Sequence, residues 1–152
     1  MSPVPDMLPA DYAIRTISPG DVRTHLDAFL AIAGDVAGEY WDEVNLLMEL
    51  PYKWRFSFAL WSNNRPVAYA VLSRKAPDLV HLHHLMVSFE LRGQGWGNRL
   101  ISEMKSRARA AGCARLTLKS RAAHARARGF YIRLGYAEAG IEGDYVLLGR
   151  DL

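Results

Sequence analysis

The chain has one cysteine, Cys113, so it cannot form an intrachain disulfide. A structural zinc site needs several thiolates or a regular Cys/His spacing, and neither occurs. No apolar run approaches the ~18 residues needed to cross a bilayer, which excludes an integral membrane protein of the helical kind. The stretch Met1–Pro9 holds three prolines and Asp6, without the basic start and continuous apolar segment of a secretory signal. The expected compartment is therefore the cytoplasm, with no membrane partner. Internal repeats are lacking too. No Gly-Lys-Ser/Thr follows a glycine loop, which argues against nucleoside-triphosphate hydrolysis. The dinucleotide fingerprint Gly-x-Gly-x-x-Gly does not occur either.

The 152 residues are 50% hydrophobic, 23% charged and 11% aromatic, enough to bury one core and too few for two domains. A proline-rich arm over residues 1–11 and a single domain over 12–152 are expected. The net charge of +3 is unevenly spread: residues 1–90 carry 7 Lys/Arg against 11 Asp/Glu, and residues 91–152 carry 12 against 5. A basic half suits an anion and an acidic half a cation, although a short chain also scatters charge by chance. The basic half lacks the aromatic pattern of an RNA-recognition surface, which argues against nucleic acid.

Tyr12 to Ile17 reads as a strand. Ser18-Pro19-Gly20-Asp21 then starts a helix that Gly34 ends. Asp35 to Leu50 reads as a second, acidic helix stopped by Pro51. Phe56–Ser62 and Val67–Ser73 form a hairpin through Asn63-Asn64-Arg65-Pro66, and Val80–Ser88 is the next strand. A helix over Gly97–Ala111 turns Leu100, Ile101, Met104, Ala108 and Ala111 to one face. Strand Arg115–Lys119, helix Ala122–Leu134 (Ala123, Ala127, Phe130 and Leu134 inward) and a hairpin of Tyr136–Ala139 with Tyr145–Leu148 follow. The order βααβββαβαββ predicts an α/β (α+β) domain with a mixed, mostly antiparallel sheet flanked by helices.

Between the third strand of the middle group and the next helix stands Leu91-Arg92-Gly93-Gln94-Gly95-Trp96-Gly97. Alternate glycines let the backbone turn tightly and expose its N–H groups, and a helix starting there adds the positive end of its dipole. Such a loop cradles a pyrophosphate, with Arg92 as a mobile cation; a plain strand-to-helix turn is the other reading. Leu85 to Ile101, LMVSFELRGQGWGNRLI, resembles the acetyl-CoA loop of the Gcn5-related N-acetyltransferase (GNAT) family, with Arg92, Gly95 and Gly97 at its marked positions. Ala127 to Tyr136, ARGFYIRLGY, resembles the same family's later motif at Ala127, Phe130, Tyr131, Gly135 and Tyr136. The strand order also matches that fold from about Tyr12 onward.

The resemblance implies acetyl-CoA as co-substrate, no metal, and direct acetyl transfer to a primary amine of a small molecule or peptide. An acyl-CoA-sensing module without turnover, or acetylation of a protein N-terminus or lysine, remains the alternative. It places Leu85, Met86, Val87, Arg92, Gly93, Gln94, Gly95, Trp96 and Gly97 on the cofactor. Backbone N–H groups around Met86 and Val87, on a strand that splays from its neighbour, would face the acetyl carbonyl. It also makes Tyr131 the acid for the departing thiolate, a hydroxyl of pKa ~10 against a thiol of ~8.5. Family members often carry Asn seven residues before this tyrosine, where the chain has His124. That imidazole either replaces the Asn toward the cofactor or faces solvent.

His81, His83 and His84 enter the site on one strand. A histidine near neutral pKa suits amine deprotonation, so His83 and His84 are candidate bases. Each is also an ordinary strand residue on the other reading. Regular alternation puts His81 and His83 on one face and His84 on the other, which argues against a shared metal. Asp35, Glu39 and Glu43 recur at four-residue steps and would make one acidic stripe for a cationic acceptor, or a solvated helix face. Cys113 has no neighbouring base and reads as structural. The acceptor's identity and the state of assembly, a homodimer included, are left open by the sequence.

Overall fold

The computed structural model describes residues 8–35 and 41–152. Strand β1 (Tyr12–Thr16) leads to Ser18, whose side chain accepts from the N–H of Asp21 while the Asp21 carboxylate accepts from the N–H of Ser18. This capping box starts α1 (Pro19–Thr24). His25 leaves helical geometry, so the single helix expected here is broken into α1 and α2 (Leu26–Ala33) at the point where the His25 ring packs edge-on against Trp61.

The acidic helix expected over 35–50 is not formed as one unit. Asp42 opens a fresh helix by a capping box with Asn45, giving only α3 (Glu43–Leu47), and α4 (Lys53–Phe56) follows. Lys53 closes the end of α3. Its ammonium, only 1% exposed, draws in the carbonyls of Asn45, Leu46 and Met48 at 3.3, 2.7 and 2.7 Å. Three carbonyl acceptors offset the cost of burying the ammonium, which is pushed down to about 8 by burial.

The remaining elements are β2 (Phe58–Ser62), β3 (Arg65–Ala76), β4 (Leu79–Val87), α5 (Trp96–Ala110), β5 (Arg115–Arg121), α6 (Ala125–Arg133), β6 (Ala137–Glu142) and β7 (Tyr145–Asp151). A short 3-10 turn, Phe89–Leu91, links β4 to the glycine loop. The seven strands form one sheet in the order β1-β2-β3-β4-β5-β7-β6. All pairs are antiparallel except β4 with β5. The mixed α/β fold and the strand order expected from the sequence are what the chain adopts. Residues 1–7 of the proline-rich arm lie outside the described residues, while Leu8 packs against the core.

Each face of the sheet has its own core. On one, α5 buries Leu100, Ile101, Met104 and Ala108 against Leu60, Leu72, Leu82, Leu116 and Leu118. Each large side chain so buried contributes about 1.5–3 kcal/mol. On the other, Val22, Phe29, Ile32 and Leu46 from α1, α2 and α3 cover Ala59, Trp61, Tyr69, Val71 and Met86. That second core takes no described residue from β5, β6 or β7. Ala123, expected inward, is exposed and precedes α6. No helix among the described residues is long and apolar enough to cross a membrane.

Candidate active site

Strands β4 and β5 pair only from Leu79↔Arg115 to Leu82↔Leu118, although β4 runs on to Val87 and β5 to Arg121. Beyond Leu82 the two diverge, and the β5-facing backbone groups of residues 83–87 have no ladder partner there. A cleft opens at this fork, and two cavities meet across it.

The first, about 960 Å³, lies between the glycine loop and α6. Gly93 and Gly95 have φ of 72° and 91°, a region closed to most side chains. Gly95 caps α5, a fifteen-residue helix whose first N–H groups have no partner within it. Gly97 serves another purpose: a Cβ there would stand 3.3 Å from Cζ of Phe130, so its absence lets α5 and α6 approach. The Arg92 Nε donates to the Val87 carbonyl at 3.1 Å, which holds the guanidinium at the mouth of the cavity. Leu85 and Val87 line the cavity, while Met86 is buried on the other face. The Gln94 side chain turns back to the Glu90 carbonyl at 3.0 Å and does not line the cavity. Trp96 touches the cavity, but its ring packs 4.8 Å from that of Tyr12 as a core anchor.

The second cavity, about 600 Å³, opens on the sheet face opposite α5. Here strict alternation fails. The β3–β4 register pairs Leu72 with Leu82 and Val71 with His84, leaving His83 as an extra residue in a bulge. Cross-strand partners share a face, so His84 joins Val71, and His81 joins its partner Ser73 on that same side. All three imidazoles therefore stand together, and the expectation of opposed His83 and His84 is corrected. Each has its own neighbour: His81 Nδ1 with Thr117 Oγ1 at 2.8 Å, His83 Nε2 with Ser73 Oγ at 2.6 Å, and His84 Nδ1 with Tyr69 Oη at 2.7 Å. His84 also stacks on Trp41, centroids 4.6 Å apart. Among the described residues no group of three His, Cys, Asp or Glu side chains is arranged to hold a metal.

Burial pushes all three histidines down: His81 to about 3, with His83, Lys75 and Lys119 adding to it, and His83 to about 4, aided by Lys75, Lys53 and Lys119. His84 falls to about 4 through burial alone. They are neutral at pH 7, and weaker bases than the near-neutral histidine that amine deprotonation favours.

Tyr131 sits on α6, ring centroids 5.2 Å from Phe130 and 5.7 Å from Tyr136, and borders both cavities. So does His124, which occupies the N-cap of α6. Burial raises the Tyr136 hydroxyl to about 12.

Of the expected acidic stripe, the two described residues, Asp35 and Glu43, do not share a helix. Asp35 lies in the turn after α2, where its carboxylate accepts from the N–H of Phe89 at 3.1 Å, and Glu43 begins the separate α3. Glu39 lies outside the described residues. Neither Asp35 nor Glu43 lines either cavity. Cys113 is buried, its thiol 3.9 Å from the Pro77 carbonyl, as befits a structural residue.

Several lining residues were not singled out beforehand. Arg126 and Arg133, seven apart on α6, border the first cavity with Asn98; their two-turn spacing was a usable signal. Lys75, Lys119 and Arg121 border the second. In RLTLKSR, Thr117, Lys119 and Arg121 alternate with the core residues Leu116 and Leu118, a period-two signal for a polar face.

A fork between parallel strands, with a left-handed glycine loop opening a helix on one side, frames the candidate site. Residues 26–136 match the profile of the acetyltransferase (GNAT) family, and the chain belongs to that family. Its fold resembles that of Ard1 from Thermoplasma volcanium, at 19% identity and a TM-score of 0.79, covering 94% of this chain and 99% of that one. The ribosomal-protein-S18-alanine N-acetyltransferase from Escherichia coli aligns at 21% identity and 0.76, over 92% and 93%. The PaiA N-acetyltransferase from Thermoplasma acidophilum, solved with coenzyme A, aligns at 15% and 0.74, over 93% and 99%. No curated protein sequence matches the chain significantly.

Proposed function

We propose that the chain transfers an acetyl group from acetyl-CoA directly to a primary amine. The observation that carries this is Tyr131, which borders both cavities at the fork where β4 leaves β5. Coenzyme A fits the first cavity by the chemistry of its walls: backbone donors at Gly93, Gly95 and the start of α5 suit a pyrophosphate. Arg92, Arg126 and Arg133 add positive charge.

In the transfer the amine nitrogen bonds to the thioester carbonyl carbon, the C–S bond breaks, and sulfur leaves as a thiolate. Tyr131 gives the thiolate a proton and recovers one from solvent. Backbone N–H groups of residues 85–87, at the unpaired edge of β4, stabilise the carbonyl oxygen as it gains charge. The proton lost by nitrogen passes to water. With pKa values near 4, His83 and His84 act as neutral hydrogen-bonding groups that orient the amine and do not deprotonate an ammonium. No carboxylate among the described residues lines either cavity. Such a site favours an amine that is partly neutral unaided, such as a peptide α-amine of pKa ~7.7–8.0 in place of a lysine at ~10.4.

The test is thiol release from acetyl-CoA over an amine panel, beside calorimetric titration with coenzyme A. Binding without release on any amine returns the chain to the acyl-CoA-sensing alternative. Lack of binding removes the cofactor assignment.

A further inference from the structure

On the sheet face opposite α5, the core that α1, α2 and α3 build takes no described residue from β5, β6 or β7. Lys119 and Arg121 reach the second cavity from β5, and Lys75 reaches it from a bulge in β3, where the register skips from Arg74 to Ala76. The acceptor cavity is thus walled by three cationic side chains and, among the described residues, by no acidic one. Glu142 on β6 pairs with the lining residue Lys119 at 2.5 Å but is 59% exposed. Lys119 foremost, and Lys75 to a smaller degree, hold its carboxyl below the usual range. The same two lysines add to the effect of burial in holding His81 and His83 neutral. Arg121 lies 5.8 Å over the Tyr145 ring, which lends its planar fork a fixed seat.

A plain ammonium or diamine entering here meets three like charges, the opposite of what an acidic stripe would have offered. From this we infer that the acceptor amine carries a carboxylate, seated by Lys75, Lys119 and Arg121 while the amine points to the fork. The inference rests on the proposed transfer reaction and names its substrate class. The carboxylate has two sources, a free amino acid or the acidic first residue of a peptide, and both present the same group to the same cations.

The experiment compares matched acceptors: glutamate against glutamine amide, the peptide amides Glu-Ala-NH₂ against Gln-Ala-NH₂, and putrescine as the cationic member. In at least one pair, kcat/KM for the acid should exceed that for its carboxamide tenfold or more, and which pair does so identifies the source. The Lys75→Gln/Lys119→Gln variant should raise KM for the acid several-fold, leaving KM for acetyl-CoA and for the carboxamide unchanged. Glu142→Gln should lower KM for the acid, because it removes the competing carboxylate, an effect that a merely structural role would not give. Carboxamides or putrescine used as well as the acids would overturn the inference while leaving the transfer reaction intact. If no amine releases thiol, the transfer reaction itself fails, and calorimetry with glutarate still decides the site. Binding that the double lysine variant abolishes supports the site, and absence of binding overturns it.

Discussion

Tyr69 and His84 share a hydrogen bond of 2.7 Å between strands β3 and β4, sealed beneath Trp41. An imidazole held this way resists protonation, and His81 and His83 do likewise. The unfolded chain takes up these protons near pH 6.5, the folded chain only near 3 to 4. Unfolding therefore gains protons as pH falls from about 6.5 toward 4, and stability drops over that window. The slope should reach about 1.4 kcal/mol per pH unit for each histidine that stays neutral. Urea unfolding at pH steps from 8 to 4 measures it; equal stability at pH 7 and pH 5 would contradict the buried neutral state.

The two glycines flanking Trp96 should fail differently. Gly95→Ala forces a side chain to φ 91°, at a cost of about 1–3 kcal/mol, and should weaken coenzyme A binding because the loop turns away. Gly97→Ala pushes on Phe130 and so on α6. A smaller residue at 130, as in Gly97→Ala/Phe130→Leu, should restore affinity for the second and do nothing for the first. Calorimetry on the two single variants and on each combined with Phe130→Leu separates the two roles.

Arg92→Ala should weaken coenzyme A by about 1–3 kcal/mol through lost charge-assisted bonds. Gln94→Ala should change affinity much less, since its amide is occupied by the Glu90 carbonyl. Equal losses for both would show that the loop's fold, and not the guanidinium, sets the affinity.

Tyr131→Phe keeps the ring packed against Phe130 and Tyr136 and deletes only the hydroxyl. Thermal stability and coenzyme A affinity should hold, while the single-turnover acetylation rate falls on the order of 10²-fold. An unaltered single-turnover rate would end its assignment as the acid.

The sequence carried the strand order and the glycine loop plainly, because both rest on local chemistry: period-two runs, and glycines where φ must be positive. The acidic helix was misread for a tertiary reason. Nothing within residues 35–50 announces that Lys53 will bond the carbonyls of Asn45, Leu46 and Met48. The histidine faces were misjudged because a bulge at His83 shifts parity by one, and a bulge depends on the partner strand. Lys75 and Lys119 come from different strands, so their shared cavity is legible only once β3, β4 and β5 lie side by side. The placement of Tyr131 on a helix was legible because the pattern around it is local in sequence.

Tyr131 as a wall common to two cavities has a kinetic consequence. The two cavities have largely different linings, so on the proposed reaction neither substrate must leave before the other arrives. Catalysis should run through a complex holding both at once, with initial-rate plots at several fixed amine concentrations that intersect. The first product out need not be the first substrate in, and free coenzyme A should compete with acetyl-CoA while leaving the acceptor's own cavity open.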